Sequence, residues 1–218
     1  MLLFEAMTQL DLTGPLEVFA RFPETKIYLL AKSIKPVSTS SGLTIIPDTT
    51  FENCPRELTV LFVPGGPGVS GVLKDPECLD FVRSKSTSTY ITSVCTGSLI
   101  LAACGLLDGF RATTHWLSMD LLRRFGVEAV NERVVIDRNR ITGAGVTSGI
   151  DFGLTLCAIL FGEQKAKEIQ LMLEYDPQPP FNSGHPSQAE EIILKAILEN
   201  RKESQQRRLE EIDNFLSR

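Results

Sequence analysis

The stretch YITSVCTGS, residues 90–98, marks the point where a predicted strand turns directly into a predicted helix. The β-prone run ends at Cys95, and after three small residues the apolar segment LILAA (99–103) suits a helix. A cysteine at such a junction lies on a sharp turn, like the nucleophile elbow of α/β enzymes. Unpaired N–H groups and the helix dipole favour negative charge there, so we expect a lowered thiol pKa and a reactive thiolate. The alternative is a cysteine buried in the core, which is common for free thiols.

Outward from this junction, strand-like and helix-like segments alternate along the chain. Further strands are predicted at residues 26–31, 42–47 and 58–63, with a hairpin over 134–142. Helices are predicted at residues 16–20, 75–84, 116–125, 150–161 and 163–175. The segment 58–63 is almost entirely apolar, which is typical of a central parallel strand covered on both faces. The pattern predicts a three-layer α/β fold with a mainly parallel sheet.

Composition narrows the class of protein. The 218 residues are 43% hydrophobic, which suits one domain over residues 1–218 with a sizeable core. A net charge of −5 argues against a nucleic-acid-binding surface, and no apolar run reaches the length of a membrane span. The five cysteines are scattered without a CxxC pair, and there are two histidines, so neither a disulfide framework nor a zinc site is supported. With no signal peptide recognisable at the start, we expect a reduced, cytoplasmic protein.

The last forty residues differ in character from the rest. Four prolines in residues 177–186 exclude regular structure and indicate an extended arm. Residues 187–218 have apolar side chains at helical spacing and charges of both signs. We expect this helical extension to pack on the core or on a partner subunit, in preference to binding DNA.

A glycine-rich loop, GPGVSG at residues 66–71, matches the G-x-G-x-x-G dinucleotide fingerprint and follows a predicted strand. A dinucleotide site also needs an acidic residue at the end of the following strand, and that strand ends in Ser93, Val94 and Cys95. The alternative is that the backbone N–H groups of Gly65 and Gly66 stabilise negative charge beside the cysteine. Loops that follow adjacent parallel strands meet at one edge of the sheet, which would bring these groups together.

Two carboxylates are candidates for proton transfer with Cys95. Asp11 is either a helix cap or turn residue before the helix at 16–20, or the acid/base partner of the thiol. It lies between Leu10 and Leu12, so partial burial would raise its pKa into a useful range. Glu17 is the rival carboxylate.

Two histidines and a threonine complete the candidates. His115, next to the only tryptophan, is the natural partner in a Cys–His pair, although a structural histidine is at least as common. His185 falls in the proline arm and is expected at the surface. Thr96 either contributes its hydroxyl group to the site or starts the helix.

Six segments together resemble a known family. LDLTGP (10–15), VPGG (63–66), SVCTGS (93–98) and RATTHW (111–116) look like the ThiJ/PfpI class of the glutamine-amidotransferase-like superfamily. The loop GAGVTSGID (143–151) and the arm LEYDPQPPFNSG (173–184) are similar to the subfamily that hydrates isocyanides. The resemblance keeps its order over nearly the whole chain.

The resemblance implies a flavodoxin-like sandwich, a homodimer and a cofactor-independent hydro-lyase. The reaction that it implies converts an isocyanide, R–N≡C, to an N-substituted formamide without metal or organic cofactor. Cys95 would be the nucleophile and Asp11 its acid/base partner, with Thr96 beside them. The expected binding groups come from two glycine-containing loops: Gly65, Gly66, Gly145, Val146 and Thr147.

Two departures from the family pattern bear on these expectations. Proteases and glyoxalase-type relatives place histidine straight after the cysteine, so Thr96 argues against those activities. The first strand of the family is longer than residues 1–4 of this chain. Two other functions stay open: a ligand sensor like the binding half of AraC-type regulators, and a redox sensor in which Cys95 is oxidised.

Overall fold

A computed structural model describes residues 1–217. Its strands are β1 (Leu30–Ala31), β2 (Val37–Ser38), β3 (Thr44–Ile45), β4 (Thr49–Thr50), β5 (Val60–Val63), β6 (Tyr90–Val94), β7 (Arg111–Ala112), β8 (Glu128–Ala129), β9 (Val134–Asp137) and β10 (Arg140–Gly143). Its helices are α1 (Gln9–Phe19), α2 (Val69–Val72), α3 (Pro76–Ser84), α4 (Gly97–Ala103), α5 (Met119–Arg124), α6 (Ser148–Phe161), α7 (Glu163–Met172) and α8 (Glu191–Leu216), with a 3₁₀ turn at Trp116–Ser118.

The central sheet has the strand order β5-β6-β10-β9. The β5–β6 and β6–β10 pairs are parallel, and β9 joins β10 as an antiparallel hairpin. The predicted mainly parallel α/β fold is therefore confirmed. The carboxyl ends of β5, β6 and β10 meet at one edge, where open α/β sheets bind ligands.

The short amino-terminal segment, residues 1–4, extends this sheet. The Leu2 N–H group donates to the carbonyl oxygen of Phe62 at 2.9 Å, and the Leu3 N–H group donates to that of Leu30 at 2.7 Å. Leu2 also forms a parallel bridge with Leu30, and β1 continues the parallel arrangement to β4. Although short, the segment is buried and fills the position between β5 and β1.

Helices cover both faces of the sheet. On one face α1 packs on α6, and α6 packs on α7; on the other, α4 covers β5 and β6 and contacts α2, α3 and α5. The approach of α1 to α6 is close, since a Cβ atom at Gly153 would lie 2.9 Å from the Val18 side chain. Rings of Phe19, Phe62 and Phe152 lie 5.6–6.1 Å apart and join the helices to the sheet.

Some predicted elements have different bounds in the structure. The strand predicted at 26–31 is reduced to Leu30–Ala31, and that predicted at 42–47 to Thr44–Ile45, which pairs antiparallel with β2. The helix predicted at 16–20 begins earlier, at Gln9, so Asp11 lies in its first turn. The helix continues through Gly14 and Pro15, although both residues disfavour a helix interior. The Pro15 ring packs against Gly149 of α6, where a larger residue would leave no room for it. Tertiary packing here outweighs the local helix propensity.

The carboxyl-terminal helix α8 packs against α5 of its own chain. Ile212 is fully buried, the Phe215 ring lies 6.1 Å from that of Phe125, and Arg124 Nε lies 2.6 Å from Asp213 Oδ1.

All five cysteines are free and buried. Within residues 1–217, no helix has the length and apolar character needed to cross a bilayer.

Candidate functional site

Cys95 forms a strained turn between β6 and α4. Its φ angle is +57°, in the left-handed region that side chains other than glycine rarely adopt. Its N–H group donates to the carbonyl oxygens of Gly143 and Ala144 at 3.0 and 2.8 Å. Its carbonyl oxygen accepts hydrogen bonds from the hydroxyl groups of Thr114 at 2.9 Å and Ser98 at 3.2 Å. These bonds hold the turn in its strained conformation.

The turn is also packed tightly against the loop that follows β5. A Cβ atom at Gly97 would overlap the carbonyl oxygen of Val63, and one at Gly65 would lie 2.5 Å from the backbone nitrogen of Thr96. Glycine at both positions therefore permits an approach that any larger residue would block.

Asp11 reaches the thiol of Cys95 from the first turn of α1. The residue is fully buried, and its Oδ2 atom accepts a hydrogen bond from the Gly65 N–H group at 3.1 Å. The Cys95 thiol lies beside the same carboxyl group. Burial raises the pKa of Asp11 to about 7, against the smaller opposing effects of the neighbouring Cys95 thiol and of the Gly65 N–H group. The structure thus brings together the two groups that the sequence analysis paired.

The thiol of Cys95 is protonated at rest, and the prediction of a lowered pKa is wrong. Burial raises its pKa, and the negative charge of Asp11 raises it further. Hydrogen bonds from the backbone and side chain of Thr96 act in the opposite direction but are weaker. The physical reason is that desolvation of a nearly buried sulfur outweighs the field of a short helix terminus. The site therefore contains a thiol–carboxyl pair in which Asp11 can accept the thiol proton.

The N–H groups of the glycine loop have a different role from the one expected. That of Gly65 is used by Asp11, and that of Gly66 donates to the hydroxyl oxygen of Thr96 at 2.9 Å. They therefore orient two side chains and are not free to stabilise a charge directly. The Thr96 hydroxyl group donates in turn to the Gly66 carbonyl oxygen at 3.3 Å, and its position near the Cys95 sulfur acts to lower the pKa of the thiol.

A cavity of about 830 Å³ lies over this cluster. Cys95, which is 5% exposed, lies in its wall with Gly66 and Thr96. Helix α8 supplies much of the opposite wall through six side chains: Ile197, Asn200, Arg201, Ser204, Gln205 and Arg208. The sequence analysis missed these residues. A signal for them exists, because Arg201, Gln205 and Arg208 recur at the spacing of one helix face.

Comparison with known proteins identifies the family of this chain. The sequence profile of the DJ-1/PfpI family matches residues 1–159. The chain belongs to the DJ-1/PfpI family.

Among its relatives, the isonitrile hydratase of Pseudomonas putida is 51% identical over 88% of this chain and 85% of its own length. A ThiJ/PfpI family protein from Pseudomonas syringae has a crystal structure that aligns with a TM-score of 0.94 and 47% identity, covering 99% of this chain and 88% of that one. The HTH-type transcriptional regulator CdhR of Pseudomonas aeruginosa is 30% identical over 76% of this chain, which spans 50% of the regulator.

The loop after β10 contributes to two cavities in this DJ-1/PfpI domain. Val146 lines the cavity that contains Cys95. Gly145 and Thr147 line a neighbouring cavity of about 490 Å³, together with Val146 and with His185 of the proline arm. Of the three loop residues predicted to bind substrate, Val146 alone borders the cavity over the thiol.

His115 borders both cavities, but none of its described hydrogen bonds involves Cys95. Its Nδ1 atom accepts a hydrogen bond from the Leu117 N–H group at 3.2 Å. Burial lowers the pKa of His115, and the positive charges of Arg208 and Arg201 lower it further. The lowered pKa favours the neutral form of the imidazole, and the titratable side chain beside the thiol is that of Asp11.

The remaining candidates lie away from the thiol. Glu17 is exposed and pairs with Arg21 at 2.7 Å. A further cavity of about 740 Å³ opens beside Met1 and Phe22 and contains none of the predicted site residues. Within residues 1–217 no cluster of three or more histidine, cysteine or acidic side chains is arranged to hold a metal ion.

Proposed function

We propose that this protein is a cofactor-independent hydratase that converts isocyanides to N-substituted formamides. The observation that carries the proposal is the position of the buried Asp11 carboxyl group beside the Cys95 thiol, which lies in the wall of a cavity large enough for a small organic molecule. The similarity to the isonitrile hydratase of Pseudomonas putida, at 51% identity over 88% of the chain, supports the choice of substrate class.

In the first half of the proposed reaction, the thiol adds to the isocyanide. Asp11 takes the proton of Cys95 while the sulfur attacks the terminal carbon of R–N≡C and the C–S bond forms. Asp11 then gives the proton to that carbon, which yields the thioimidate R–N=CH–S–Cys95. A carboxyl group with a pKa near 7 can both accept and release this proton at neutral pH.

In the second half, water replaces the sulfur. Water adds to the thioimidate carbon as Asp11 accepts one of its protons and passes that proton to the nitrogen, giving R–NH–CH(OH)–S–Cys95. The C–S bond then breaks, the hydroxyl proton returns to the sulfur through Asp11, and the formamide R–NH–CHO leaves. The hydroxyl group and N–H group of Thr96 stabilise negative charge on the sulfur in both halves.

The alternative functions have less support. The similarity to the regulator CdhR covers half of that protein's length. A redox sensor needs an accessible thiol with a low pKa, whereas burial raises the pKa of Cys95.

Turnover tests the proposal directly. Purified protein incubated with cyclohexyl isocyanide should produce N-cyclohexylformamide, measured by chromatography and mass spectrometry. Cys95→Ala and Cys95→Ser should abolish this turnover, whereas Cys54→Ser, a change at a buried cysteine outside the cavity, should retain it. Formamide production by Cys95→Ala at the wild-type rate would reject the mechanism.

We also infer that the protein acts as a homodimer in a reducing, cytoplasmic compartment. Large apolar side chains stay exposed on the last third of the chain, among them Leu171, Met172 and Phe181, and their burial by a second copy would be favourable. Five free thiols suit a reducing environment.

A further inference from the structure

The cavity over Cys95 is cationic, although the whole chain has a net charge of −5. Its lining includes two arginines, Arg201 and Arg208, and no aspartate or glutamate. His115, also in the lining, is neutral because burial and the two arginine charges lower its pKa. A local field opposite in sign to that of the whole protein favours an anionic ligand in this cavity.

The two arginines lack acidic partners within residues 1–217. Neither guanidinium group forms an ion pair with a described carboxylate, and Arg208 Nε is buried without a hydrogen-bond acceptor. Glu211, one turn further along α8, is near enough for its charge to act on Arg208, but its ion pair is with Lys74 at 2.7 Å. A guanidinium Nε–H group that is buried without an acceptor is unfavourable unless a ligand supplies one.

Two further polar groups of the same cavity are buried without partners. Ser118 is 1% exposed, and its hydroxyl group has no hydrogen-bond partner among the described residues. The side-chain oxygen of Gln205 is in the same situation. Unsatisfied buried polar groups are rare in folded proteins, and here three of them line one cavity beside a nucleophile.

We propose that the substrate of this site is an isocyanide that carries a carboxylate, which Arg208 and Ser118 bind while the isocyano carbon lies at Cys95. This inference rests on the proposed hydratase function and specifies its substrate class. The isocyano group has no N–H or O–H group, so these polar side chains must recognise the rest of the molecule. A planar guanidinium group matches a carboxylate through paired hydrogen bonds, the serine hydroxyl adds one more, and Arg201 adds positive charge nearby.

Substrate preference of the wild-type protein is the first test. We expect kcat/KM for isocyanoacetate to exceed that for its methyl ester by about tenfold or more at low salt, because the ester keeps the shape and loses the charge. The carboxylate-containing product N-formylglycine should also inhibit more strongly than N-methylformamide. An ester hydrated as efficiently as the acid would overturn the inference.

Variants of α8 test which side chain binds the carboxylate of the substrate. Arg208→Gln should lower the acid-to-ester ratio of kcat/KM by about tenfold, and Arg208→Lys should restore part of it. Arg207→Gln is the matched control, since Arg207 is exposed and outside the cavity, and it should leave the ratio unchanged. If Arg208→Gln lowers both values by the same factor, the guanidinium acts on the Cys95 sulfur and the inference is wrong.

The two proposals fail in distinguishable ways. Hydration of cyclohexyl isocyanide and of the ester without preference for the acid rejects the carboxylate site and leaves the hydratase function standing. Absence of turnover with all three isocyanides rejects both proposals.

Discussion

At the residue scale, the decisive feature is a carboxyl group in an unfavourable position. Asp11 is fully buried, and its Oδ1 atom has no nitrogen or oxygen partner within residues 1–217. Burial of this kind raises the pKa of a carboxyl group to near neutrality, which makes it an effective proton carrier. The Cys95 thiol has a raised pKa and needs a base in order to react, and the neighbouring Asp11 carboxyl group can be that base.

The first prediction concerns catalysis by Asp11. Asp11→Asn should lower kcat by about 10²- to 10⁴-fold, because asparagine cannot accept the thiol proton. In the wild-type protein kcat/KM should rise with pH through about 7, as the carboxyl group loses its proton and becomes a base. Steady-state kinetics from pH 5 to 9 measures both effects. Glu17→Gln is the control and should behave as wild type, because Glu17 lies at the surface.

The same carboxyl group makes stability depend on pH. The folded-state pKa of about 7 lies above the ordinary value of 3.8, so its contribution to stability is complete below pH 3.8 and is lost as the pH rises through about 7. Asp11→Asn should therefore be more stable than wild type at pH 8, by of order 1–3 kcal/mol, and should have no such advantage at pH 4. Urea denaturation at both pH values measures this, and a difference independent of pH contradicts the raised pKa.

At the element scale, the turn at Cys95 depends on glycine next to it. Gly97→Ala should force α4 away from β5, because the new Cβ atom would overlap the Val63 carbonyl oxygen. We expect a loss of several kcal/mol in unfolding free energy, or failure to fold, together with loss of turnover. Gly71→Ala is the matched control, since no atom lies within 4 Å of its Cβ position and alanine favours a helix. Thermal unfolding of the two variants compares them; equal melting temperatures would contradict the close packing.

Helix α8 gives a second prediction at this scale. Ile212 is fully buried and anchors the helix, so Ile212→Ala should lower the unfolding free energy by about 2–4 kcal/mol. Because α8 also supplies one wall of the catalytic cavity, KM should rise in the same variant. Ile192→Ala, at a position 73% exposed on the same helix, should change neither property. Chemical denaturation and initial-rate kinetics are the measurements. An unchanged KM in Ile212→Ala would show that α8 does not contribute to substrate binding.

At the scale of the whole molecule, the sheet gathers the site from distant parts of the chain. The loops after β5, β6 and β10 meet at one edge, and α1 and α8 reach the same edge from opposite ends of the sequence. The apolar side chains left exposed near the carboxyl terminus suit a second copy of the chain. The proposed substrate site and the proposed dimer interface thus both involve the carboxyl-terminal part of the chain.

The prediction at this scale is a dimer. Light scattering at micromolar concentration should give twice the 24.1 kDa of one chain. Replacing both Leu171 and Phe181 by aspartate should shift the population toward monomer, because charge at a buried interface is unfavourable. Ile34→Asp, a change at another exposed apolar residue, should leave the dimer intact. A monomeric wild-type protein would reject the homodimer.

Local sequence patterns predicted much of the fold. The strand predicted at 90–94, the helix predicted at 75–84 and the hairpin predicted at 134–142 are confirmed, since periodicity and turn residues act over short distances. Of the candidate site, the sequence predicted Cys95 and its neighbours but not the residues of α8 that line the cavity. Resemblance to a family paired Asp11 with Cys95, and residue spacing alone left Glu17 and His115 as rivals.

The strand–turn–helix unit at Cys95, the α/β class and the family can all be read from the amino-acid sequence. Only the folded chain shows that Asp11 lies beside the thiol, that burial raises the pKa of that thiol, and that Arg208 of α8 borders the same cavity. The two kinds of information differ in the distance over which their causes act. Backbone preference depends on neighbouring residues, whereas desolvation and hydrogen bonding depend on every group that folding brings close, however far apart in the chain.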